Sequence, residues 1–400
     1  MNILILCKVV DNYGDMGFAY RLAVSLAALA PRLQISLAVS DVRAFTSLCD
    51  ERCAAIRILD WNDAASCARA CEENFPDTVL ECFQCGRPEW LEKWLFGGWL
   101  ERHGREVRII NIEYLTAESW AEDFHLLKSA TRSPRVRKVN FMPGFTDRTG
   151  GLLLDRPFME GLAHRQDFPA EVSSWLSKED CDDLRSQSCF SVLVFSYPQD
   201  FSSIINALKG HGKTQKVHVF SASGAGQSSF LETYRRMGEP FALTVLPFLP
   251  QKAWDALLLH VDFAFVRGED SFSRMCLSGT PFVWQAYPQE GQFHLVKVLA
   301  FLERLRHHLP QEDFALAARC FMQYNDSPAL PHCSEAEDAL ASLPPFDLSG
   351  QELWQELIAR VADMRHSFAA FSRELIANGD LAAHLVDYMQ ATVCNPPMPQ

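Results

Sequence analysis

Nowhere in the 400 residues does an apolar run approach the roughly 20 residues that a membrane-spanning helix needs, and the mean hydropathy is -0.06. The sequence therefore predicts no transmembrane segment and no membrane partner. Positive charge is also scarce: 37 Lys and Arg stand against 50 Asp and Glu, a net charge of -13 with a pI near 5.4. No stripe of Lys and Arg interleaved with aromatics occurs, which argues against direct nucleic-acid binding. No H-E-x-x-H, G-x-S-x-G or D-x-D-type metal loop stands out, and the 12 histidines do not cluster at ligand spacing. Met1 to Val10 is apolar but lacks a basic leader and a cleavage site, so it reads as a buried first strand and not as a secretion signal. The 13 cysteines are an odd count, several inside apolar runs (Cys7, Cys82, Cys276), which suits reduced thiols in a cytoplasmic protein. Cys82-Phe83-Gln84-Cys85 is one CxxC without a second pair or a nearby His, so core thiols are expected there instead of zinc. Neither a metal nor a cofactor is expected.

What the chain does have is a recurring alternation of strand-like apolar runs and helical spacing, the pattern of parallel sheets covered on both faces. Strands are expected at 2–10, 34–40, 54–60, 78–83 and 107–114, then at 191–195, 217–220, 243–246, 262–266 and 281–284. Helices are expected at 17–30, 351–377 and 381–391, and a loop-like passage between 141 and 166 holds Pro143-Gly144 and Gly150-Gly151. The length exceeds what one core usually serves. The expected fold class is thus α/β, with two doubly wound Rossmann-like domains facing each other across a cleft. The boundaries read as 1–150, a linker 151–185, a second domain 186–377, and a helix and tail 378–400 that crosses back to the first domain. GT-B glycosyltransferases share this layout, and periplasmic-type binding proteins share its plan, so architecture alone assigns no activity.

Chemistry concentrates in two strand-to-helix loops. After strand one come Asp11-Asn12-Tyr13-Gly14-Asp15 and Gly17, which is neither G-x-G-x-x-G nor a P-loop but displays two carboxylates. Asp11 as a turn-forming residue and Asp15 as a helix cap are the structural readings, and a catalytic carboxylate is the functional one. In the second loop a buried strand runs into Arg267-Gly268-Glu269-Asp270-Ser271, with a helix opening at Asp270 or Ser271, packing Phe272, Met275 and Cys276 inward and stopping at Gly279. Free N–H groups at that helix start and a nearby arginine suit a diphosphate, and hence a nucleotide-sugar donor. Glu269 and Asp270 sit awkwardly beside an anion; one could cap the helix and the other accept hydrogen bonds from sugar hydroxyls. Phe195 and Tyr197, Phe248 and Gln251, and Tyr287 with Gln289 lie at other strand ends of the same half, Phe248 being suited to stack on a base. Glu113 and Tyr114 close a strand in the first half and are candidates for acceptor contact. His294, His307 and His308 read as surface or helix residues.

Three of these segments, Asp11-Asn12-Tyr13-Gly14-Asp15, Phe265-Val266-Arg267-Gly268-Glu269-Asp270-Ser271-Phe272 and Tyr287-Pro288-Gln289-Glu290, resemble the EarP family of bacterial protein-arginine rhamnosyltransferases, over essentially the whole chain. The resemblance implies an inverting GT-B enzyme moving L-rhamnose from dTDP-β-L-rhamnose to an arginine of translation elongation factor P, which then assists polyproline translation. It implies Asp15 as base and Asp11 as its supporting carboxylate. The donor would be lined by Tyr13, Gly14, Phe195, Tyr197, Phe248, Gln251, Arg267, Gly268, Glu269, Asp270, Ser271, Tyr287 and Gln289, without metal. Tyr13 stands where the family often has Phe, and Met16 and Phe18 where it often has smaller or branched apolar residues. Two other readings remain: a GT-B transferase for another acceptor, and a nucleotide-sugar-binding module without turnover.

Overall fold

The structure is a computed structural model that describes residues 1–8, 14–48, 53–348 and 350–394. The chain divides into two compact units, one formed by Met1–Arg156 together with the chain from Ile376 on, the other by Pro157–Leu375. Among the described residues no helix is long and apolar enough to cross a membrane.

The first unit holds seven strands: β1 (Asn2–Cys7), β2 (Gln34–Val39), β3 (Ile56–Asp60), β4 (Thr78–Cys82), β5 (Val107–Ile112), β6 (Lys128–Ser129) and β7 (Val136–Phe141). Their order is β3-β2-β1-β4-β5-β7-β6, parallel throughout except for the antiparallel β6–β7 pair. The pleat sends Ile3, Ile5 and Cys7 to one face and Leu4 and Leu6 to the other, and each face has its own buried cluster. The first face is covered by the helix Gly14–Leu29 and by the last helix, Leu381–Cys394, through Leu381, Leu385 and Met389. The second is covered by Ala64–Glu73, Glu89–Phe96 and Trp99–His103. Val136–Phe141 was not foreseen as a strand, because Arg137, Lys138 and Asn140 lower its apolar content; its partner β5 supplies the apolar context.

The chain's return to this unit is held locally. Leu152 bridges Asp380 in parallel, Leu381 N–H donates to Leu152 O at 2.9 Å, and Leu154 N–H donates to the Asp380 carboxylate at 2.8 Å. Asn378 donates to Phe145 O, and Gly151, at φ 77°, lies so close to Gly379 that a Cβ would sit 2.8 Å from its carbonyl oxygen.

The second unit holds β8 (Cys189–Val194), β9 (Lys216–Ser221), β10 (Ala242–Val245), β11 (Phe263–Arg267) and β12 (Phe282–Gln285), all parallel in the order β10-β9-β8-β11-β12. Residues 157–185 carry three short helices of this unit, Arg156–Ala163, Ala170–Ser173 and Lys178–Arg185. The long helix Gly350–Ala377 buries Leu353, Trp354, Leu357, Ile358, Val361, Met364, Phe368, Phe371 and Leu375, the i, i+3, i+4 stripe of a core-facing helix. In each sheet the chain starts in the middle, winds to one edge, then jumps back and winds to the other. The places where the direction reverses lie between β1 and β4 and between β8 and β11, where strand ends open a crevice for ligands. The expected class, α/β with two Rossmann-like domains, is the one observed.

Gly151→Ala should lower unfolding stability by about 2–3 kcal/mol in chemical denaturation, since it adds left-handed strain to a backbone clash at the returning segment. An unchanged midpoint would show that this crossing is not tightly packed.

Candidate active site

At the crevice of the second sheet, β8 leaves through Phe195 and β11 ends on Arg267. The Phe195 N–H donates to Phe265 O at 2.8 Å, which extends the ladder past the end of β8 and fixes one exit against the other. Arg267 is only 6% exposed, and its guanidinium lies over the rings of Phe195 and Tyr197, 4.6 Å from each centroid. Its Nε has no hydrogen-bond partner among the described residues. A desolvated cation on two π faces gains about 2 kcal/mol per good contact and is held without a carboxylate, so its charge stays available to an anion. Tyr197 is itself held, its N–H donating to Gln285 Oε1 at 2.8 Å and its ring meeting that of Tyr287 edge-on at 5.9 Å. Phe195 meets Trp254 at 5.1 Å, and the Trp254 indole donates to Ser271 Oγ at 3.2 Å. Phe248 and Gln251 lie just before and at the start of the helix Gln251–His260 that carries Trp254.

Gly268 follows Arg267 with φ 71° and ψ 177°, a conformation that glycine reaches and other residues avoid, while its Cβ position is open space. It occupies the N-cap, so the helix starts at Glu269, earlier than expected, and runs to Ser278 with Gly279 as a left-handed C-cap. Neither acid is the cap. Glu269 and Asp270 both stand in the first turn, where the helix dipole favours negative charge, and Ser271, Phe272, Met275 and Cys276 are buried. Phe272 stacks on Trp284 at 4.0 Å, and the Trp284 indole donates to Gly268 O at 3.1 Å, tying the turn to β12.

Beyond β12, Tyr287 and Gln289 are exposed on a loop whose base is fixed from within. Asn325 accepts from Ala286 N–H and donates to Trp284 O, both at 2.8 Å, and Gln292 exchanges hydrogen bonds with Ser327. His294, expected as a surface or helix residue, opens the helix His294–Arg306 but is buried at 3%: Gln289 N–H donates to its Nδ1, and its Nε2 faces Asn325 O at 3.0 Å. That arrangement needs the neutral ring.

In the first unit Asp15 stands, partly buried, in the first turn of Gly14–Leu29, and Gly14 is exposed at its start. Asp11 and Tyr13 lie outside the described residues. Across the crevice from β1, the turn after β4 places Phe83 face to face with Tyr114 at 4.4 Å and against Phe18 at 5.0 Å, while Gln84 donates to Glu113 at 2.6 Å. Cys82 and Cys85 are free thiols. Burial pushes the Cys85 thiol up to about 11, and burial, then the charge of Asp15, pushes Cys7 up as well.

Residues 3–390 match the family described as Elongation-Factor P (EF-P) rhamnosyltransferase EarP. The chain belongs to the EarP family. Relatives named protein-arginine rhamnosyltransferase include one from Pseudomonas putida, 33% identical over 76% of this chain and 81% of its own length, and one from Neisseria meningitidis serogroup B, 32% identical over 82% and 84%. A solved structure described as the basis for EarP-mediated arginine glycosylation of elongation factor EF-P shares the fold, with a TM-score of 0.56 at 21% identity over 98% of this chain and 99% of that one. As an EarP member the protein is an enzyme, a glycosyltransferase that rhamnosylates EF-P.

Several residues of this EarP-family site escape sequence reading. Trp254, Gln285 and Asn325 are ordinary core-like letters whose roles depend on contacts 17 to 88 residues away. Gly224 was more legible: it belongs to the small-residue run Ser223-Gly224-Ala225-Gly226 after β9, and a Cβ there would meet Phe195 at 3.0 Å and Arg267 at 3.5 Å.

The pKa of His294 lies below the ordinary 6.5, chiefly through burial; the Asn325 carbonyl and Asp326 pull it up, and Lys297 adds to the depression. A lowered histidine contributes stability in full above its unfolded pKa and loses it as pH falls below that value. Unfolding free energy of the wild type should therefore fall more steeply from pH 7 to pH 5 than that of His294→Gln, by at most about 1.4 kcal/mol per pH unit. Parallel slopes in denaturation across this range would contradict it.

Proposed function

We propose that the protein transfers L-rhamnose from dTDP-β-L-rhamnose to one arginine side chain of EF-P, with inversion at the anomeric carbon and without a metal ion, in the cytoplasm, so that EF-P is activated for polyproline translation. The reading is carried by Arg267, a buried cation seated on Phe195 and Tyr197 beside the first turn of Glu269–Ser278. That combination can take the place of a divalent cation on a diphosphate: the guanidinium offers directed N–H donors, and the helix start adds backbone N–H groups. Phe248 and Gln251 would take the base, Tyr287 and Gln289 the outer edge of the donor, and Glu269, Asp270 and Ser271 its hydroxyls.

The acceptor half falls to the first unit. An arginine guanidinium has a pKa above about 12 and spreads its lone pair, so it attacks carbon only when a carboxylate orients it and takes a proton as the bond forms. Asp15 is assigned as that base, with Asp11 as its supporting carboxylate. The arginine nitrogen attacks C1 of the sugar from the face opposite the phosphate, the C1–O bond breaks, the proton passes to Asp15, and dTDP leaves with its charge stabilised by Arg267. One displacement inverts the centre.

Incubation with dTDP-rhamnose and EF-P should add one deoxyhexose to EF-P by intact-protein mass spectrometry. Asp15→Asn should keep dTDP affinity and lose at least about 100-fold in transfer, the size expected for a missing general base; equal transfer would remove Asp15 from that role. Arg267→Ala should weaken dTDP binding by about 10- to 100-fold in calorimetry, the range for losing charge-assisted hydrogen bonds, and unchanged affinity would refute the diphosphate assignment.

A further inference from the structure

Two consecutive residues without glycine's freedom, Phe83 and Gln84, adopt left-handed backbone conformations, with φ 59° and 48°. Such pairs are costly and persist where the surroundings enforce them, often beside functional sites. Here they directly follow β4, at the crevice of the first sheet, and each meets a residue at the end of β5: the Phe83 ring stacks on Tyr114, and the Gln84 amide donates to Glu113 Oε1. The buried Asn111 donates to the same oxygen. Among the described residues nothing donates to the other oxygen, and Glu113 is partly exposed. Asp15 is near enough to act electrostatically on Cys82, the residue before the turn, and Phe18 of the same helix packs on Phe83.

We propose that the strained turn Phe83–Gln84 is an acceptor-positioning element: Gln84 and Asn111 fix one oxygen of Glu113 so that the other pairs with the acceptor guanidinium beside Asp15. Glu113 is then a binding carboxylate that shares the cation with the base, and Gln84 is a positioning residue that acts through it. An extended turn would carry Gln84 away from Glu113, so the strain is what joins the two. The inference rests on the reading of the acceptor as an arginine of EF-P.

Wild-type transfer to EF-P is measured first; absence of any adduct indicts that reading and leaves the turn aside. Gln84→Gly removes the hydrogen bond and relieves the left-handed strain together, so a structural role and a positioning role diverge. The expected variant melts at or above the wild-type temperature, shows a KM for EF-P raised about tenfold, and keeps its affinity for dTDP, a pattern of lost acceptor binding alone. Glu113→Gln should raise the same KM by about tenfold or more, and Gln84→Gly added to it should produce no further increase, because positioning is lost with the group positioned. An acceptor KM within about twofold of wild type for Gln84→Gly, dTDP affinity lost in parallel, or additive effects in the double variant would each overturn the proposal.

Discussion

Arg267 is buried and, among the described residues, pairs with no carboxylate, and much of the second unit holds it in that state, which the proposed grip on a diphosphate requires. A guanidinium at 6% exposure would ordinarily be matched by an acid, which would cancel its use. Stacking on Phe195 and Tyr197 stabilises the cation without neutralising it. The rings must then be fixed, and they are: Phe195 by the ladder to β11 and by Trp254, Tyr197 by Gln285 at the end of β12. At Gly224 a side chain would crowd the Phe195 ring at 3.0 Å and reach contact distance of Arg267. Asn325 and His294 in turn fix the chain beyond β12.

The same topology serves a different purpose in the first unit. Both sheets reverse direction next to their first strand, and both place a helix start at the end of that strand or of its new neighbour. In the second unit the reversal presents a cation beside a helix start; in the first it presents Asp15, with Glu113 held by Gln84 and Asn111. The local device that makes each turn differs accordingly. Gly268 meets a positive φ with no strain, whereas Phe83 and Gln84 reach it against their own preference and gain contacts that glycine could not make.

These differences explain how far the sequence could be read. The parallel α/β plan was legible because both faces of these strands are buried, so they are written as near-continuous apolar runs; β7 was not, since its adjacent Arg137 and Lys138 interrupt the run. Arg267, Phe195, Tyr197 and Tyr287 were legible as residues at strand ends. The start of their helix was misplaced because Gly268 was read as part of the turn and not as its cap. Gln285, Trp254 and Asn325 were silent, since a buried amide or indole declares its role only through a partner distant in the chain. The turn at Gln84 was hidden for a further reason: nothing in Phe83-Gln84 predicts positive φ, which is imposed by Ile112, Tyr114 and Glu113 on the neighbouring strand end.

The thiols around Asp15 complete the electrostatics of that half. Cys7 and Cys82 are buried and Cys85 nearly so, and each is pushed towards the neutral form, Cys85 up to about 11. At pH 7 a thiol of that kind is ionised in only about one molecule in 10,000. The charge of Asp15 contributes to the upward shift of Cys7 and Cys82, after burial. The CxxC motif of the first unit thus adds apolar bulk at the end of β4, while the residues between its two cysteines stack on Tyr114 and donate to Glu113.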